Sequence, residues 1–508
     1  MAGRAALLAA WAALMWTAAP AAASHPPVPP RDAYAEAKRP DQVVVTWRAG
    51  DDSGEPERYT VLRDGVEVGR SDTGRFVDDW LLERTRYEYS VQAERDGHRS
   101  PGSAPARITT PASRAFEIGP YLQRLTPDGA AVVWQTYEPA TTVLRFGPAG
   151  GPLAVVERDP DLVRRHVVPV AGLVPGAEYR YQWESDGKLG RVASFRTPVA
   201  GPDSFSFGVI GDFGIGTPAA RANLRRLSAD RSVDLAITTG DNAQIYGTED
   251  EYRRFVLGPL RDLIATKPFW PSVGNHDYYN LQNYRRFFEL PNGGLYYSFT
   301  YGGVLFAALD SNRFDTRQRR WLRGTLRGSR ARCKVAYFHH PLWSSGRGYR
   351  GHSRHLRRKR FVPILERGGV DLVLNGHMQN YERSKPLRSG RRSRRGTVYV
   401  VTGGGGASLN GFVTKRRPRW SARRGAFFHR LRVRVEDRAL RGKAIDAAGN
   451  TRDRFRIPCR PGLWPAGAAG PPRTLVSLCI TVMLNRTTVG PGRRVLCLGA
   501  SAQLRPGA

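Results

Sequence analysis

Five apolar runs in the middle of this chain each end on a short polar block: Gly211-Asp212-Phe213-Gly214, Gly240-Asp241-Asn242, Gly274-Asn275-His276-Asp277, His339-His340-Pro341 and Gly376-His377-Met378-Gln379. The runs Phe205 to Ile210, Asp234 to Thr239, Phe269 to Val273, Val335 to Phe338 and Val370 to Leu374 read as buried strands. Helical stretches alternate with them. Thr217-Pro218 supplies an N-cap and a first-turn proline, with Leu224 and Leu227 as the buried stripe, and Thr248 with Glu251 reads as a capping box. A hairpin from Leu295 to Leu309 turns at Gly302-Gly303. Such alternation predicts a layered α/β domain whose working groups gather beyond the carboxyl ends of its strands.

The segments before this domain read differently. Met1 to Ala23 carries Arg4, an apolar stretch and a small-residue exit, the pattern of a secretory signal, and its apolar core is short for a membrane span. Export to a secreted, extracellular or cell-envelope location is the expectation, with no transmembrane segment after signal removal. A Pro-rich linker is assigned to 24–41. From 42 to 112, and again from 116 to 198, short alternating runs predict two β-sandwiches, with Asp64-Gly65 as a hairpin turn. The α/β domain is assigned to 203–457 and an unassigned low-complexity tail to 458–508. Four cysteines do not make a disulfide scaffold, and the three near the end allow one bond within the tail.

The formal net charge of +34 attracts anions, but eight of the 79 basic residues are lysine, so an overall preference for arginine explains much of the excess. Clusters remain at Arg357-Arg358-Lys359-Arg360, at Arg391 to Arg395 and from Lys415 to Arg424. Aromatic residues do not interleave with them, so specific nucleic-acid recognition is not expected. A solvated surface and a border that concentrates an anionic substrate account for them equally well.

Carboxylate, amide and imidazole donors without thiolate suit borderline divalent or trivalent ions. Two such ions under a bridging carboxylate can activate water and neutralise the oxygens of a phosphoryl transfer. A single Gly-Asp turn or a single histidine carries little information, whereas five blocks in order, each after a strand, are specific.

With these blocks the chain resembles the calcineurin-like metallophosphoesterases, and within them the purple acid phosphatases that carry a β-sandwich before the catalytic domain. Further marks are Gly119-Pro120-Tyr121-Leu122-Gln123, Leu309-Asp310-Ser311-Asn312 and Thr402-Gly403-Gly404. An early Trp strand with a later Tyr-x-Tyr strand, Trp47 with Tyr87-Glu88-Tyr89 and Trp134 with Tyr179-Arg180-Tyr181, resembles fibronectin type III modules, whose first Tyr forms a corner hydrogen bond. The implied fold is multidomain: two all-β fibronectin III-like sandwiches followed by a four-layer αββα metallophosphoesterase domain.

The resemblance implies Asp241 as a bridging carboxylate, Asn275, His339 and His377 around the second metal, and His276 as the acid that protonates the leaving oxygen. Asp212 would serve the first metal. Two further first-metal positions depart from the family: a Tyr is replaced by Gln244, and the second His of the Gly-His-x-His block by Gln379. Neutral amides hold a metal weakly, and tyrosinate is the anion that favours ferric iron. The implied cofactor is therefore a pair of divalent or mixed-valence ions of the Fe, Zn or Mn class, the first bound weakly and without a purple tyrosinate band. Tyr246, two residues beyond the expected position, is a further candidate ligand, and His340 and His352 are candidate substrate-orienting groups.

The expected activity is an acid phosphatase-like, metal-dependent hydrolysis of phosphate esters by activated water, with monoester and diester both open. The rival is a catalytically weakened protein that binds an anionic cell-envelope polymer, motivated by the two Gln substitutions.

Overall fold

Alternating side chains build the N-terminal half. Residues 27–459, apart from 40–41, 51–55, 57, 80, 83, 112–117, 349–351 and 437, are described by a computed structural model, and side chains at 38, 39, 137 and 352–356 lie outside it. The leader at 1–23, the tail with Cys479 and Cys497, and the side chain of His352 therefore fall outside the described residues. In the first module, Val43, Val45, Trp47, Val61, Tyr87, Tyr89 and Val91 point inward between two sheets. The corner bond forms: the Leu82 N–H donates to the Tyr87 hydroxyl at 2.9 Å, and the Val174 N–H does the same to Tyr179 at 2.8 Å in the second module. Asp64 and Gly65 both take positive φ, +51° and +76°, as a type I′ hairpin turn requires.

The linker assigned to 24–41 needs correction. Residues Arg31–Arg39 form a strand paired antiparallel with Gln42–Arg48. Its inward positions are Ala33, Ala35 and Ala37, which alternate but lack the bulk of β-branched residues that normally marks a strand.

The second sandwich turns on one long strand, Gly129–Pro148, which pairs with Ile118–Gln123 along its first half and with Glu178–Ser185 along its second. This sandwich is fused to the α/β unit through specific bonds. Tyr121 Oη donates to the Phe287 carbonyl at 2.8 Å, Gln123 Nε2 to Phe269 O at 3.1 Å, and Tyr181 Oη to Ala265 O at 2.7 Å.

The α/β unit has four layers, αββα. One six-stranded sheet is centred on Phe205–Ile210, parallel to Leu235–Thr238 and antiparallel to His429–Glu436. The facing seven-stranded sheet runs Val304–Ala308, Cys333–Tyr337, Leu372–Asn375 and Val398–Thr402 in parallel. Helices Pro218–Ala229 and Gly258–Ile264 cover the first sheet, while Thr316–Gly328 and His352–Arg367 cover the second. Thr217 caps its helix through the Ala220 N–H. The Thr248 box differs from expectation: Thr248 Oγ1 accepts from Glu251 N, but the Glu251 carboxylate reaches the Ile245 and Tyr246 amides. No helix among the described residues is long and apolar enough to cross a membrane.

A disulfide joins Cys333 to Cys459, 126 residues apart, and any bond within the tail between Cys479 and Cys497 lies outside the described residues. The Cys333–Cys459 bond ties a central strand of one sheet to the end of the last strand of the other, and in the chain-entropy account such a loop contributes about 4–5 kcal/mol.

The first module is docked on the α/β unit by buried charge. Asp78 accepts from Arg63 Nη1 at 2.7 Å and Tyr89 Oη at 2.9 Å within the module, and from Arg221 Nη1 at 2.6 Å across the boundary. All four side chains are buried, so one carboxylate is shared between two guanidinium groups that have little water to solvate them.

Two buried histidines make the stability of the fold depend on pH on the acid side. His166 lies between Thr142 Oγ1, 2.7 Å from Nδ1, and Thr136 Oγ1, 3.1 Å from Nε2, and stacks on Trp134; His429 lies between Thr402 Oγ1 and the Phe427 carbonyl. Burial lowers each to about 4 from an ordinary 6.5. The unfolded chain therefore takes up these protons first, and stability present above pH 6.5 is lost as pH falls towards 4, by up to about 3 kcal/mol per histidine. Denaturant titrations across that range should show the decline, and His166→Gln should flatten part of it.

Candidate metal centre

The carboxyl ends of five strands deliver the five blocks to one place. Asp212 follows Phe205–Ile210, Asp241 follows Leu235–Thr238, Asn275 follows Phe269–Pro271, His339 follows Cys333–Tyr337 and His377 follows Leu372–Asn375. Ligand-type atoms of Asp212, Asp241 and His339, all buried, lie within 4.8 Å of one another. Around His339 Nε2 stand Asn275 Oδ1 at 2.8 Å, Asp241 Oδ2 at 3.2 Å and His377 Nδ1 at 3.2 Å, and His377 Nδ1 is 3.0 Å from Asn275 Oδ1.

The backbone at these turns is under constraint. Asp212, Asp241 and His377 have φ of +55°, +50° and +64°, a region that costs free energy for any residue with a Cβ. The neighbouring glycines have a packing reason. A Cβ on Gly274 would lie 2.1 Å from both the Asp241 amide nitrogen and its Oδ1, and one on Gly376 or Gly403 would lie 2.5 or 2.7 Å from Asp212 Oδ2.

A second layer, absent from the sequence expectation, holds the turns together. Fully buried Asp277 accepts from the Gly274 amide at 2.8 Å, from Asn242 Nδ2 at 3.0 Å and from Tyr252 Oη at 2.5 Å. Asn242 also donates to Ser272 O, so the second and third blocks are one hydrogen-bonded unit. The signal was in plain view, because Asn242 and Asp277 belong to the blocks, but polar residues at turns are too common to single out.

The donor set fits a cation. His339 Nδ1 is 3.0 Å from the Thr239 carbonyl, so it carries the hydrogen and turns Nε2 inward as a lone pair. That lone pair then faces Asn275 Oδ1 and Asp241 Oδ2, both acceptors. Burial works against charge on His339, but Asp241 and then Asp212 override it and raise the imidazole to about 9. Burial, with the Asp241 charge adding to it, holds the Asp212 carboxyl well above its usual range. Asp212 Oδ1 and Gln244 Oε1 are both buried with no hydrogen-bond donor. A cation would satisfy such an acceptor.

The remaining candidates separate. His276 Nδ1 lies 3.0 Å from Ile245 O, leaving Nε2 facing the cleft 3.9 Å from Asp241 Oδ2. His340 is buried, with Nδ1 2.9 Å from Ser311 Oγ and its ring 4.5 Å from that of His377. Burial and the neighbouring His339 and His377 hold His340 well below the usual imidazole range, so it is neutral. Ser311 O accepts from Arg357 Nε at 3.2 Å, which brings one residue of the basic clusters to the site's edge. Gln379 is pinned by its backbone to Asn410 in both directions. Tyr246 is not a ligand: its side chain is 66% exposed, because the Glu251 carboxylate clamps its amide and turns the ring outward. His352 opens the helix His352–Arg367, and its side chain lies outside the described residues.

The Gly274 packing gives a direct check. Gly274→Ala should leave the far-ultraviolet circular dichroism unchanged while lowering bound metal severalfold, read by elemental analysis after gel filtration.

Comparisons with known proteins agree with this geometry. The calcineurin-like phosphoesterase family model matches residues 205–381. Purple acid phosphatase 21 of Arabidopsis thaliana is 28% identical over 306 residues, covering 54% of this chain and 66% of the relative. The chain spans about half to two thirds of the length of the curated relatives it matches. Among solved structures, purple acid phosphatase PPD1 from yellow lupin (Lupinus luteus) seeds superposes with a TM-score of 0.63 at 19% identity, covering 84% of this chain and 94% of that one. PhoD superposes with 0.54 at 15% identity, covering 67% and 93%. Residues 205–381 thus form a calcineurin-like phosphoesterase domain, in a chain homologous to the purple acid phosphatases.

Proposed function

We propose that this protein is an exported, metal-dependent phosphoesterase that hydrolyses phosphate esters at the cleft around Asp241. The observation that carries the reading is the cluster of ligand-type atoms, Asn275 Oδ1, Asp241 Oδ2 and His377 Nδ1, within 3.2 Å of His339 Nε2, with the Asp212 carboxylate beside them. The family implies a dinuclear centre. Asp241 would bridge its two ions, Asn275, His339 and His377 would complete one side, and Asp212 with the amide oxygens of Gln244 and Gln379 would serve the other. Bound divalent ions of the Fe, Zn or Mn class supply Lewis acidity and an acidified water. Gln244 and Gln379 are neutral, so the first side holds its ion less tightly than the second.

The chain's own residues do the rest. Ile245 O accepts from the His276 Nδ1–H and so turns Nε2 to the cleft, from where the imidazolium form would deliver a proton to the departing alkoxide. Arg357 places positive charge at the rim next to His340, where a phosphate oxygen can meet it. The Cys333–Cys459 bond is consistent with an oxidising, extracellular destination. The rival reading, a binder of anionic envelope polymers, draws only on the exposed arginines and the two Gln replacements.

Metal analysis with assays of a phosphate monoester and a diester separates the readings. The parent should turn over at least one ester and lose that activity to a chelator. Asp241→Asn should lower kcat by about 1,000-fold or more with loss of metal, and His276→Ala should lower it by about 100-fold or more with metal retained. Polymer affinity that survives Asp241→Asn, with negligible turnover in the parent, would favour the binding protein.

A further inference from the structure

The rim of the cleft beside His276 carries an apolar surface that the hydrolytic reading leaves unused. Tyr246 and Tyr279 are 66% and 67% exposed, and Ile245 between them and the site is 39% exposed. The Tyr279 ring meets the His276 ring edge-on with centroids 5.5 Å apart, and Tyr246 stands 6.3 Å from Tyr279 at an interplanar angle of 61°. Two exposed aromatic rings therefore adjoin the residue that would protonate the leaving group.

The segment that presents Tyr246 is built, not loose, and Tyr279 stands on the turn Asp277–Asn280 that follows His276. Buried Glu251 accepts from the Ile245 amide and the Tyr246 amide, each at 3.0 Å, and from the Thr248 hydroxyl at 3.1 Å. Gly247 turns with φ +64°, and its carbonyl accepts from Asn283 Nδ2 at 2.9 Å. The carbonyl of Ile245 is the same one that fixes His276. A buried carboxylate thus pins the backbone while the rings stay in water, an arrangement that costs apolar exposure without serving the core. Ordering a platform in advance lowers the entropy lost when a guest arrives.

We propose that Tyr246 and Tyr279 form a stacking platform for a flat aromatic ring carried by the leaving alcohol, so that aromatic phosphate esters are the favoured substrate class. The inference rests on the phosphoesterase reading. The inclination of the two rings suits a guest that lies on the face of one and meets the edge of the other, the offset and edge-to-face geometries that aromatic groups prefer. Two kinds of ester share this chemistry, small aryl-bearing alcohols and nucleosides, since each presents a π-face next to a primary hydroxyl.

Matched esters test it on the metal-loaded full chain. Benzyl phosphate against cyclohexylmethyl phosphate isolates flatness from apolarity, and adenosine 5′-monophosphate against ribose 5-phosphate isolates the base. The ratio of kcat/KM within a pair should favour the aromatic member by roughly tenfold in the parent. Tyr279→Ala and Tyr246→Ala should each reduce that ratio severalfold, while Tyr279→Phe, which keeps the ring, should preserve it. A preference in the benzyl pair alone supports the platform with small aryl esters as occupants, and a preference in both pairs supports it with nucleotides included. Turnover with ratios near one in the parent, or ratios unmoved by both alanine variants, overturns the platform alone. Turnover of a diester assayed beside them but of none of the four overturns the platform alone, and absence of turnover on all five overturns the phosphoesterase reading and the platform with it.

Discussion

Two carboxylates, Asp212 and Asp241, are buried together in one pocket, and the rest of the structure follows from what that requires. Isolated anions in a protein interior are strongly destabilising, so each must meet a cation or take a proton. Here burial and mutual repulsion drive Asp212 towards protonation, while His339 takes up the charge that Asp241 needs. A metal would resolve the same conflict more completely, and Asp212 Oδ1, buried without a hydrogen-bond donor, is an acceptor it could use. The left-handed turns, the closely approached glycines and the Asp277 layer all hold these charges in a geometry that the chain would not otherwise adopt.

The domain outside the phosphoesterase resemblance is joined to this arrangement. Arg221, which donates to the Asp78 carboxylate of the first module, also donates from Nε to the Gly216 carbonyl at 3.0 Å. Gly216 lies on the loop that leaves Asp212, and Thr217 Oγ1 at its end donates to Gly406 O. The first sandwich is therefore held against the segment that carries one side of the candidate centre, and it does not hang from it as a free spacer.

Much of this was legible in the sequence because strong local rules agreed with the tertiary fold. Buried strands of the α/β unit read as unbroken apolar runs, the hairpin at Gly302-Gly303 and the helix after Thr217 formed as their residues predicted, and the five blocks converged. Where the reading failed, no local rule carried the information. Arg31–Arg39 hides its alternation in alanines, and the Cys333–Cys459 partnership spans two sheets whose packing a sequence does not display. Asp277, Glu251 and Arg357 resemble ordinary surface polar residues until the fold removes water from the first two and brings the third beside Ser311. Tyr246 was the opposite case, a plausible ligand by spacing that its own backbone clamp turns away.

The central claim is that Asp241 lies between two cations. Anomalous X-ray diffraction from crystals grown with zinc or manganese, collected on both sides of the metal's absorption edge, tests it most directly. The account predicts a strong peak bounded by Asp241, Asn275, His339 and His377, and a weaker one on the side of Asp212 and Gln244. Well-diffracting crystals with no anomalous peak next to Asp241 would contradict it.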